Sequence, residues 1–248
     1  TRGYKGKKSN SMPYILDETS DAQDYGDEAV YLSRHSNAIV CVCSQRLKAA
    51  NLLFERGVDV ILSDDGLQHF ALKRDLELVV VSSDRAFGNR RLLPAGPLRE
   101  GLDRLDTIDL ICLNGKKIDE DLHLENTIGF EIENKTAKNI HNGQIRSIDA
   151  FINHDVNLIA GIGDPNVLIQ KLIKLGININ HIKVADHGAI DSSEIKNLQG
   201  TPLFLTPKDL VKYSKDDLPK ETWELIPEMM IDQSQEQSMM NKIFEIIQ

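Results

Sequence analysis

The chain has 248 residues, of which 41% are hydrophobic and 27% charged, a balance typical of a folded globular protein with a substantial core. Its 29 Lys and Arg residues against 38 Asp and Glu residues give a formal net charge of −9, which argues against non-specific binding to nucleic acid. No apolar run reaches the roughly 18 to 20 residues that span a bilayer, and no signal-peptide pattern is found. The three cysteines are expected to be small apolar residues in a reducing compartment, not disulfide partners or zinc ligands.

The first half of the chain alternates apolar runs with a helical pattern. Residues 45–57 are predicted to form a helix that ends at Gly57. Its predicted buried face consists of Leu47, Ala50, Leu53 and Phe54. Predicted strands cover residues 38–43, 58–64, 76–82 and 108–113. Their apolar runs are continuous, which indicates burial on both faces and favours a parallel sheet, where ligands bind beyond the carboxyl ends of the strands.

The second half repeats an α/β pattern after a more polar stretch. Residues 114–145 are predicted to be a linker with hairpin-like strands. A helix is predicted over residues 164–176, with Asp164 as its N-cap and Pro165 in its first turn. Further strands are predicted at residues 156–163, 179–186, 201–206 and 222–227, with a terminal helix over 233–248. The predicted domains are residues 1–116, 117–148 and 149–248.

Two adjacent carboxylates, Asp64 and Asp65, follow the predicted strand at residues 58–64. Nucleotide-hydrolysing folds place the residue that holds hydrated magnesium at the carboxyl end of such a strand. The alternative is an Asx turn that ends the strand, because Asp and Gly favour turns. Gln68 and His69 close behind favour a functional site.

An arginine-rich segment at residues 85–100 is predicted to be a structured loop. Two glycines and two prolines prevent a simple helix, while its apolar residues argue against disorder. Arginine side chains bind phosphate groups in a bidentate manner, so the segment suits an anionic ligand, although a solvated loop is the alternative. Glu100 at its end either contributes to a metal site or pairs with an arginine.

Two further acidic positions allow more than one interpretation. Asp27 and Glu28 precede an apolar helical stretch, and by themselves they indicate only an acidic helix N-terminus. Asp186 and His187 follow a predicted strand. A carboxylate beside a histidine is how enzymes tune a general base, but the pattern does not identify which Asp would be the partner of His187.

Eight motifs, taken in order, resemble the tetraacyldisaccharide 4'-kinases, which are the lipid A 4'-kinases of Gram-negative bacteria. They are "TRGYKG", "GDEA", "CSQR", "SDDGLQH", "FGNRRLLPAGPLRE", "AGIGDPN", "VADHG" and "LTPKDLVKY". The resemblance covers nearly the whole chain. It implies a P-loop NTPase-like domain with a mostly parallel sheet, joined by a stranded linker to a smaller α/β C-terminal domain.

The resemblance also implies an activity and a location. The activity is transfer of the γ-phosphate of ATP, with Mg²⁺, to the 4'-hydroxyl of an acylated glucosamine disaccharide 1-phosphate in lipid A biosynthesis. The location is the cytoplasmic face of the bacterial inner membrane, and no nucleic-acid partner is expected. Two alternatives stay open: an inactive fragment or descendant that keeps only the fold, and an unrelated magnesium-dependent phosphohydrolase.

Residue roles follow from the resemblance where the motifs match. His187 is the expected general base, and Asp27 is the carboxylate that strengthens it. The expected nucleotide-binding residues are Asp64, Asp65, Gln68 and Arg2. The expected contacts to substrate or phosphate are Arg46, Arg99 and Glu28. The expected metal ligands are Asp64, Asp65 and Glu100.

The chain departs from the family pattern in two ways. Ala29, Ala185 and Gly188 replace two prolines and a histidine that the family usually has, and all three are peripheral to the implied roles. The glycine-rich phosphate loop that the family carries before "RGY" has no counterpart here. We therefore expect the chain to be the C-terminal part of a longer kinase, without the membrane-associating N-terminal helix, and by itself to bind ATP poorly.

Overall fold

The computed structural model describes residues 1–8, 12–115, 126–184 and 188–247. The chain divides into two compact units, each built from two segments. The first unit comprises Thr1–Asp65 and Asn134–Pro227, and the second comprises Gly66–Glu133 and Glu228–Gln248. These compact units are a different division from the predicted domains, whose boundaries stay a prediction.

The described residues form short helices and strands that alternate along the chain. The strands are β1 (Tyr14–Ile15), β2 (Cys41–Val42), β3 (Leu78–Ser82), β4 (Leu110–Asn114), β5 (Thr127–Asn139), β6 (Ile145–Ser147), β7 (Asp155–Ile159), β8 (Asn178–Ile182), β9 (Leu203–Leu205) and β10 (Thr222–Ile231). The helices are α1 (Ala22–Tyr25), α2 (Asp27–His35), α3 (Arg46–Glu55), α4 (Pro165–Lys174), α5 (Ser192–Lys196), α6 (Pro207–Leu210) and α7 (Gln233–Ile247). None of these described helices combines the length and apolar character that crossing a bilayer requires.

The first unit contains parallel strands in the order β10-β9-β7-β8. Val156, Leu158 and Ile159 on β7 are fully buried, so that strand is covered on both faces, as strands in a parallel sheet commonly are. Phe151 packs edge-on against Phe204 and Trp223, with ring centroids 4.8 and 5.2 Å apart. This aromatic cluster is the centre of the unit's largest apolar core.

Helix α4 begins as the sequence predicts. The Asp164 side chain accepts a hydrogen bond from the Asn166 amide, and Pro165 is the first helical residue. The end of β5 pairs with β6 in an antiparallel hairpin, which agrees with the hairpin-like strands predicted in this region. Helix α4 and the hairpin therefore form where they were expected.

Helix α3 forms with a different buried face from the predicted one. Leu47 and Phe54 are 49% and 77% exposed, whereas Arg46 and Ala49 are buried. Ala49 packs against Cys41 and Cys43 beside the short strand β2, because its small side chain lets the helix approach the strand. Gly57 follows the helix with a φ of 73°, which confirms it as the predicted stop.

The predicted strand at residues 58–64 is wrong. The segment forms no ladder with other described residues, and Val60, Ile61 and Leu62 are 46%, 42% and 82% exposed. A strand needs a partner for its backbone hydrogen bonds, and an apolar run alone does not supply one. The predicted strand at residues 38–43 is shortened for a related reason, since only Cys41 and Val42 pair with β1.

The second unit contains parallel strands in the order β3-β4-β5. Its core consists of Val81, Phe87, Ile108, Ile111 and Leu113. Strand β3 is not buried on both faces as predicted, because Leu78 and Val80 are 40% and 66% exposed. Phe87 belongs to the arginine-rich segment, so that segment is anchored in the core.

The three cysteines are free thiols. Cys41 and Cys43 are buried on and beside β2, and Cys112 lies in β4. Burial raises the pKa of the Cys41 and Cys112 thiols, so both stay neutral at physiological pH. This agrees with the prediction that they act as small apolar side chains.

Candidate functional site

The two adjacent carboxylates of the "SDDGLQH" motif lie in an exposed turn of the first unit. Asp65 has a φ of 49°, in the left-handed region that Asp tolerates better than most residues. The Thr1 hydroxyl donates to the Asp64 carboxylate at 3.4 Å. The turn itself matches the alternative of a turn-forming pair, but it leaves both carboxylates accessible to a cation.

Arg46 lies beside this turn at the start of α3. The residue is 9% exposed, and its guanidinium donates to the Ser63 hydroxyl at 2.8 Å. The structure therefore places one candidate arginine next to the residue that precedes the candidate carboxylates. Arg2, the other candidate arginine of this unit, is exposed.

The residues that follow the turn belong to the second unit, where a chain of charged side chains holds them. Arg74 donates to the carbonyls of Gly66 and Leu67 at 3.3 and 2.8 Å. The Glu77 carboxylate pairs with Arg74 at 2.5 Å and with Arg104 at 2.5 Å. Arg74 therefore fixes the backbone at Gly66 and Leu67, and the Glu77 carboxylate in turn fixes Arg74.

The charged side chains of this network also contact Gln68. Arg104 lies 3.5 Å from the Glu100 carboxylate, and Gln68 donates to Glu100 at 3.0 Å. Arg99 donates to the Gln68 side-chain oxygen at 3.5 Å. Three candidate residues, Gln68, Arg99 and Glu100, are therefore brought together. Of the two interpretations of Glu100, the structure shows the pairing with an arginine.

The arginine-rich segment is a structured loop without a helix or strand, as predicted. Leu93 donates its backbone N–H to Leu98 at 2.8 Å, and Asn89 donates its side chain to the Ala95 carbonyl at 2.8 Å. A Cβ on Gly96 would lie 2.4 Å from the Arg91 carbonyl oxygen, so this turn requires glycine. The exposed Arg90 and Arg91 are displayed on this fixed backbone.

Asp27 is buried at the start of α2 in the first unit. It is 5% exposed, and its carboxylate accepts the Glu28 amide N–H at 2.9 Å. The Lys212 ammonium lies 3.7 Å from the same carboxylate. Glu28 is more exposed and accepts from Lys208 at 3.0 Å. Both predicted carboxylates of this helix are therefore paired with lysines from the "LTPKDLVKY" motif.

Asp209 is a buried carboxylate that the sequence analysis did not single out. It accepts the Gly161 amide N–H at 2.8 Å and the Thr206 hydroxyl at 2.6 Å, and it pairs with Lys212 at 2.8 Å. Thr206 caps α6 by accepting the Asp209 amide. A Thr three residues before an Asp is a helix-capping pattern, and this signal could have drawn attention to the motif.

The candidate general base, His187, lies outside the described residues. The next residue in the chain, Gly188, has its carbonyl bonded to the Lys212 ammonium at 3.1 Å. No group of three or more His, Cys, Asp or Glu side chains suited to a metal ion occurs within residues 1–8, 12–115, 126–184 and 188–247. The roles of the predicted site residues stay predictions.

Two groups that donate hydrogen bonds to the buried Asp209 carboxylate lie where parallel strands end. Gly161 comes two residues after β7, and Thr206 comes directly after β9. This arrangement defines a class, namely an α/β protein that presents its polar groups beyond the carboxyl ends of parallel strands, where such proteins bind ligands.

Comparison with known proteins identifies the family within that class. The model of the family described as tetraacyldisaccharide-1-P 4'-kinase, LpxK, matches residues 1–245. The chain belongs to this family. The match extends over both compact units, so it does not depend on a single motif.

Individual relatives and a solved structure agree with the family match. The chain is 36% identical over 250 residues to a tetraacyldisaccharide 4'-kinase of Aliivibrio salmonicida, covering 99% of this chain and 72% of the relative. It is 41% identical over 233 residues to the enzyme of that name from Colwellia psychrerythraea, covering 92% of this chain and 67% of the relative. A crystal structure of the "apo" form of LpxK from Aquifex aeolicus in complex with ATP covers 100% of this chain and 78% of that chain, with a TM-score of 0.77 and 24% identity. This last likeness confirms the α/β fold with a mostly parallel sheet.

Proposed function

We propose that this protein is an ATP-dependent kinase that phosphorylates the 4'-hydroxyl of tetraacyldisaccharide 1-phosphate, a step of lipid A biosynthesis. The observation that carries the proposal is the family match over residues 1–245. The relatives named as tetraacyldisaccharide 4'-kinases and the ATP complex of the similar fold support it. The proposed substrate is an acylated, anionic sugar, so we place the enzyme at the cytoplasmic face of the inner membrane.

The proposed mechanism assigns proton transfer to a histidine and a carboxylate. His187 takes the proton of the attacking hydroxyl, and Asp27 stabilises the imidazolium that results. The buried position of Asp27 supports this role, because a carboxylate shielded from water interacts more strongly with a nearby charge. Transfer of the hydroxyl proton to His187 accompanies attack of the hydroxyl oxygen on the γ-phosphorus, while the bond between that phosphorus and ADP breaks.

Phosphate charge is assigned to the arginines and to a magnesium ion. Arg46 and Arg99 would neutralise and orient phosphate oxygens. Gln68 and Arg2 would contact the nucleotide, and Glu28 would contact the sugar substrate. Asp64 and Asp65 fit Mg²⁺, because their exposed, adjacent carboxylates are the oxygen ligands that this ion prefers. When bound, Mg²⁺ would offset the charge that develops on the phosphate oxygens.

The proposal is tested with the full-length gene product, ATP labelled at the γ-phosphate, Mg²⁺ and detergent-dispersed tetraacyldisaccharide 1-phosphate. We expect label in the lipid, lost when Mg²⁺ is chelated and abolished by Asp65→Ala and by His187→Ala. Asp75→Ala is the matched control, since Asp75 forms only an exposed pair with Lys73 at 3.2 Å and should transfer label normally.

The remaining outcomes would support the other two functions. Release of phosphate that does not depend on the lipid would indicate a magnesium-dependent phosphohydrolase. A folded protein that neither transfers nor releases phosphate would indicate an inactive descendant. Near-normal transfer by His187→Ala would remove that residue as the general base while leaving the kinase activity in place.

A further inference from the structure

The Lys212 ammonium is the shared partner of groups from three separate parts of the first unit. It lies 2.8 Å from Asp209, 3.7 Å from Asp27 and 3.1 Å from the Gly188 carbonyl oxygen. Its side chain is 7% exposed, and those of Asp27 and Asp209 are 5% and 1% exposed. Two of these contacts, to Asp209 and to the Gly188 carbonyl, are hydrogen bonds, and the Asp27 carboxylate lies at ion-pair distance.

Burial of these charges is costly unless each one is compensated. Among the described side chains, two buried carboxylates face the Lys212 ammonium, and hydrogen bonds help to offset the second negative charge. Asp209 obtains them from the Gly161 amide and the Thr206 hydroxyl. These hydrogen bonds fix the Asp209 carboxylate, which in turn holds the Lys212 ammonium between Asp27 and Gly188.

The turn after α6 also holds the chain beyond Gly188. The Tyr213 hydroxyl accepts the backbone N–H of Ile190 at 2.9 Å. Burial raises the pKa of Tyr213, which keeps this hydroxyl neutral. Two adjacent side chains, Lys212 and Tyr213, thus fix two points of the segment that directly follows His187 in the sequence.

We propose that Lys212 is a positioning residue for phosphoryl transfer, which sets the Asp27 carboxylate and the segment after His187 in a fixed relation. The proposal rests on the proposed function, in which Asp27 and His187 act together. Lys212 would not touch the substrate. It would hold the Asp27 carboxylate in one orientation through their ion pair.

The test replaces Lys212 in the full-length protein by Met, which keeps the length of the side chain, and by Arg, which keeps the charge. For Lys212→Met we expect kcat to fall roughly 100-fold, the effect of a small misplacement of catalytic groups. KM for ATP should change less than about twofold, because no binding contact is removed. Lys212→Arg should restore part of kcat, because it keeps the charge that faces Asp27 and Asp209.

A matched control separates these effects from general loss of an ion pair. Lys196 pairs with Asp217 at 3.1 Å in the same unit, but both side chains are exposed. Lys196→Met should therefore leave kcat, KM and stability unchanged. A fall in kcat that comes with a change in KM above about twofold and with no rescue by Arg would show a merely structural role and overturn the proposal, as would a normal kcat in folded Lys212→Met.

Hydrogen–deuterium exchange provides a measurement that does not depend on activity. In Lys212→Met and in Lys212→Arg we expect faster exchange at the amides of residues 188–191, and no change in Lys196→Met. Unchanged exchange in both Lys212 variants would contradict the proposal. If Lys212→Met does not fold, Lys212→Arg carries both tests. Absence of lipid phosphorylation in the unaltered protein would refute the proposed function. The exchange experiment would still show whether Lys212 holds the segment at residues 188–191.

Discussion

The two units each contain a network of charged side chains around candidate site residues, but the networks differ in burial and in charge balance. In the first unit, Asp27, Asp209 and Lys212 are at most 7% exposed. In the second unit, the side chains of Arg74, Glu77, Arg104 and Glu100 are 13% to 24% exposed. Among these described side chains, the first network has one cation for two anions, whereas the second has two of each.

This difference predicts how each network responds to a lost partner. In the buried network every charge depends on the others, because water is not available to replace a missing contact. In the partly exposed network water can solvate a released arginine, and the remaining arginine still neutralises Glu77 or Glu100. Removal of one group should therefore be severe in the first unit and mild in the second.

The largest expected effect is that of Asp209→Asn. The substitution keeps the shape but leaves Lys212 without its nearest anion, and breaking a buried ion pair typically costs about 3–5 kcal/mol. Urea unfolding followed by the fluorescence of Trp223, the one tryptophan of the chain, reports on the core of the first unit. Asp217→Asn, in the exposed pair with Lys196, should change the free energy of unfolding by less than about 0.5 kcal/mol. A loss below about 1 kcal/mol for Asp209→Asn would remove the contrast between the networks.

The second largest effect is expected from Gly161→Ala. A Cβ at Gly161 would lie 2.7 Å from the Asp209 carboxylate and 3.3 Å from the Lys212 ammonium. Because both groups are held by other contacts, we expect a loss of about 1–3 kcal/mol in the same unfolding experiment. Gly163→Ala is the matched control two residues further on, since a Cβ there meets nothing within 4 Å. Equal effects of the two substitutions would show that the turn tolerates the methyl group and that the cluster is not tightly packed.

Local signals explain why much of the fold could be predicted from the sequence. The strands at residues 76–82 and 108–113 and helix α4 are defined by their own apolar runs, caps and stops, and the structure shows all three. Gln68, Arg99 and Glu100 could also be grouped, because they belong to two distinctive motifs.

The features that could not be predicted depend on distant parts of the chain. The run at residues 58–64 has the composition of a strand, but pairing requires a neighbour that composition does not supply. The buried face of α3 is set by contact of Ala49 with Cys41 and Cys43. The cluster of Asp27, Asp209 and Lys212 joins the "GDEA" and "LTPKDLVKY" motifs, which lie far apart in the sequence, so neither motif alone indicates a buried ion pair.

A smaller effect is expected from Glu77→Gln in the second unit. Glu77 pairs with both Arg74 and Arg104 at 2.5 Å, so the neutral amide weakens two contacts. Because these side chains are partly exposed, we expect a loss of only about 1 kcal/mol and faster hydrogen–deuterium exchange at residues 66–74. Asp75→Asn is the control. The side chains of Asp75 and its partner Lys73 are 71% and 90% exposed, so their pair should not measurably change the free energy of unfolding. A loss as large as that of Asp209→Asn would mean that burial does not distinguish the networks.

The smallest effect concerns His181, a polar group of the first unit that belongs to neither network. Its Nε2 is buried and has no hydrogen-bond partner among the described residues. Burial, and secondarily the charge of Lys183, lower the pKa of this imidazole below its usual 6.5. The unfolded chain therefore binds the proton more readily than the native protein, so stability is complete above pH 6.5 and falls as the pH drops through that value. Trp223-monitored unfolding at pH 7.5 and 5.5 should show a larger loss for the unaltered protein than for His181→Gln, which cannot be protonated. Equal losses would show that the protonated ring finds a hydrogen-bond partner, so that burial of His181 in β8 has no pH-dependent cost.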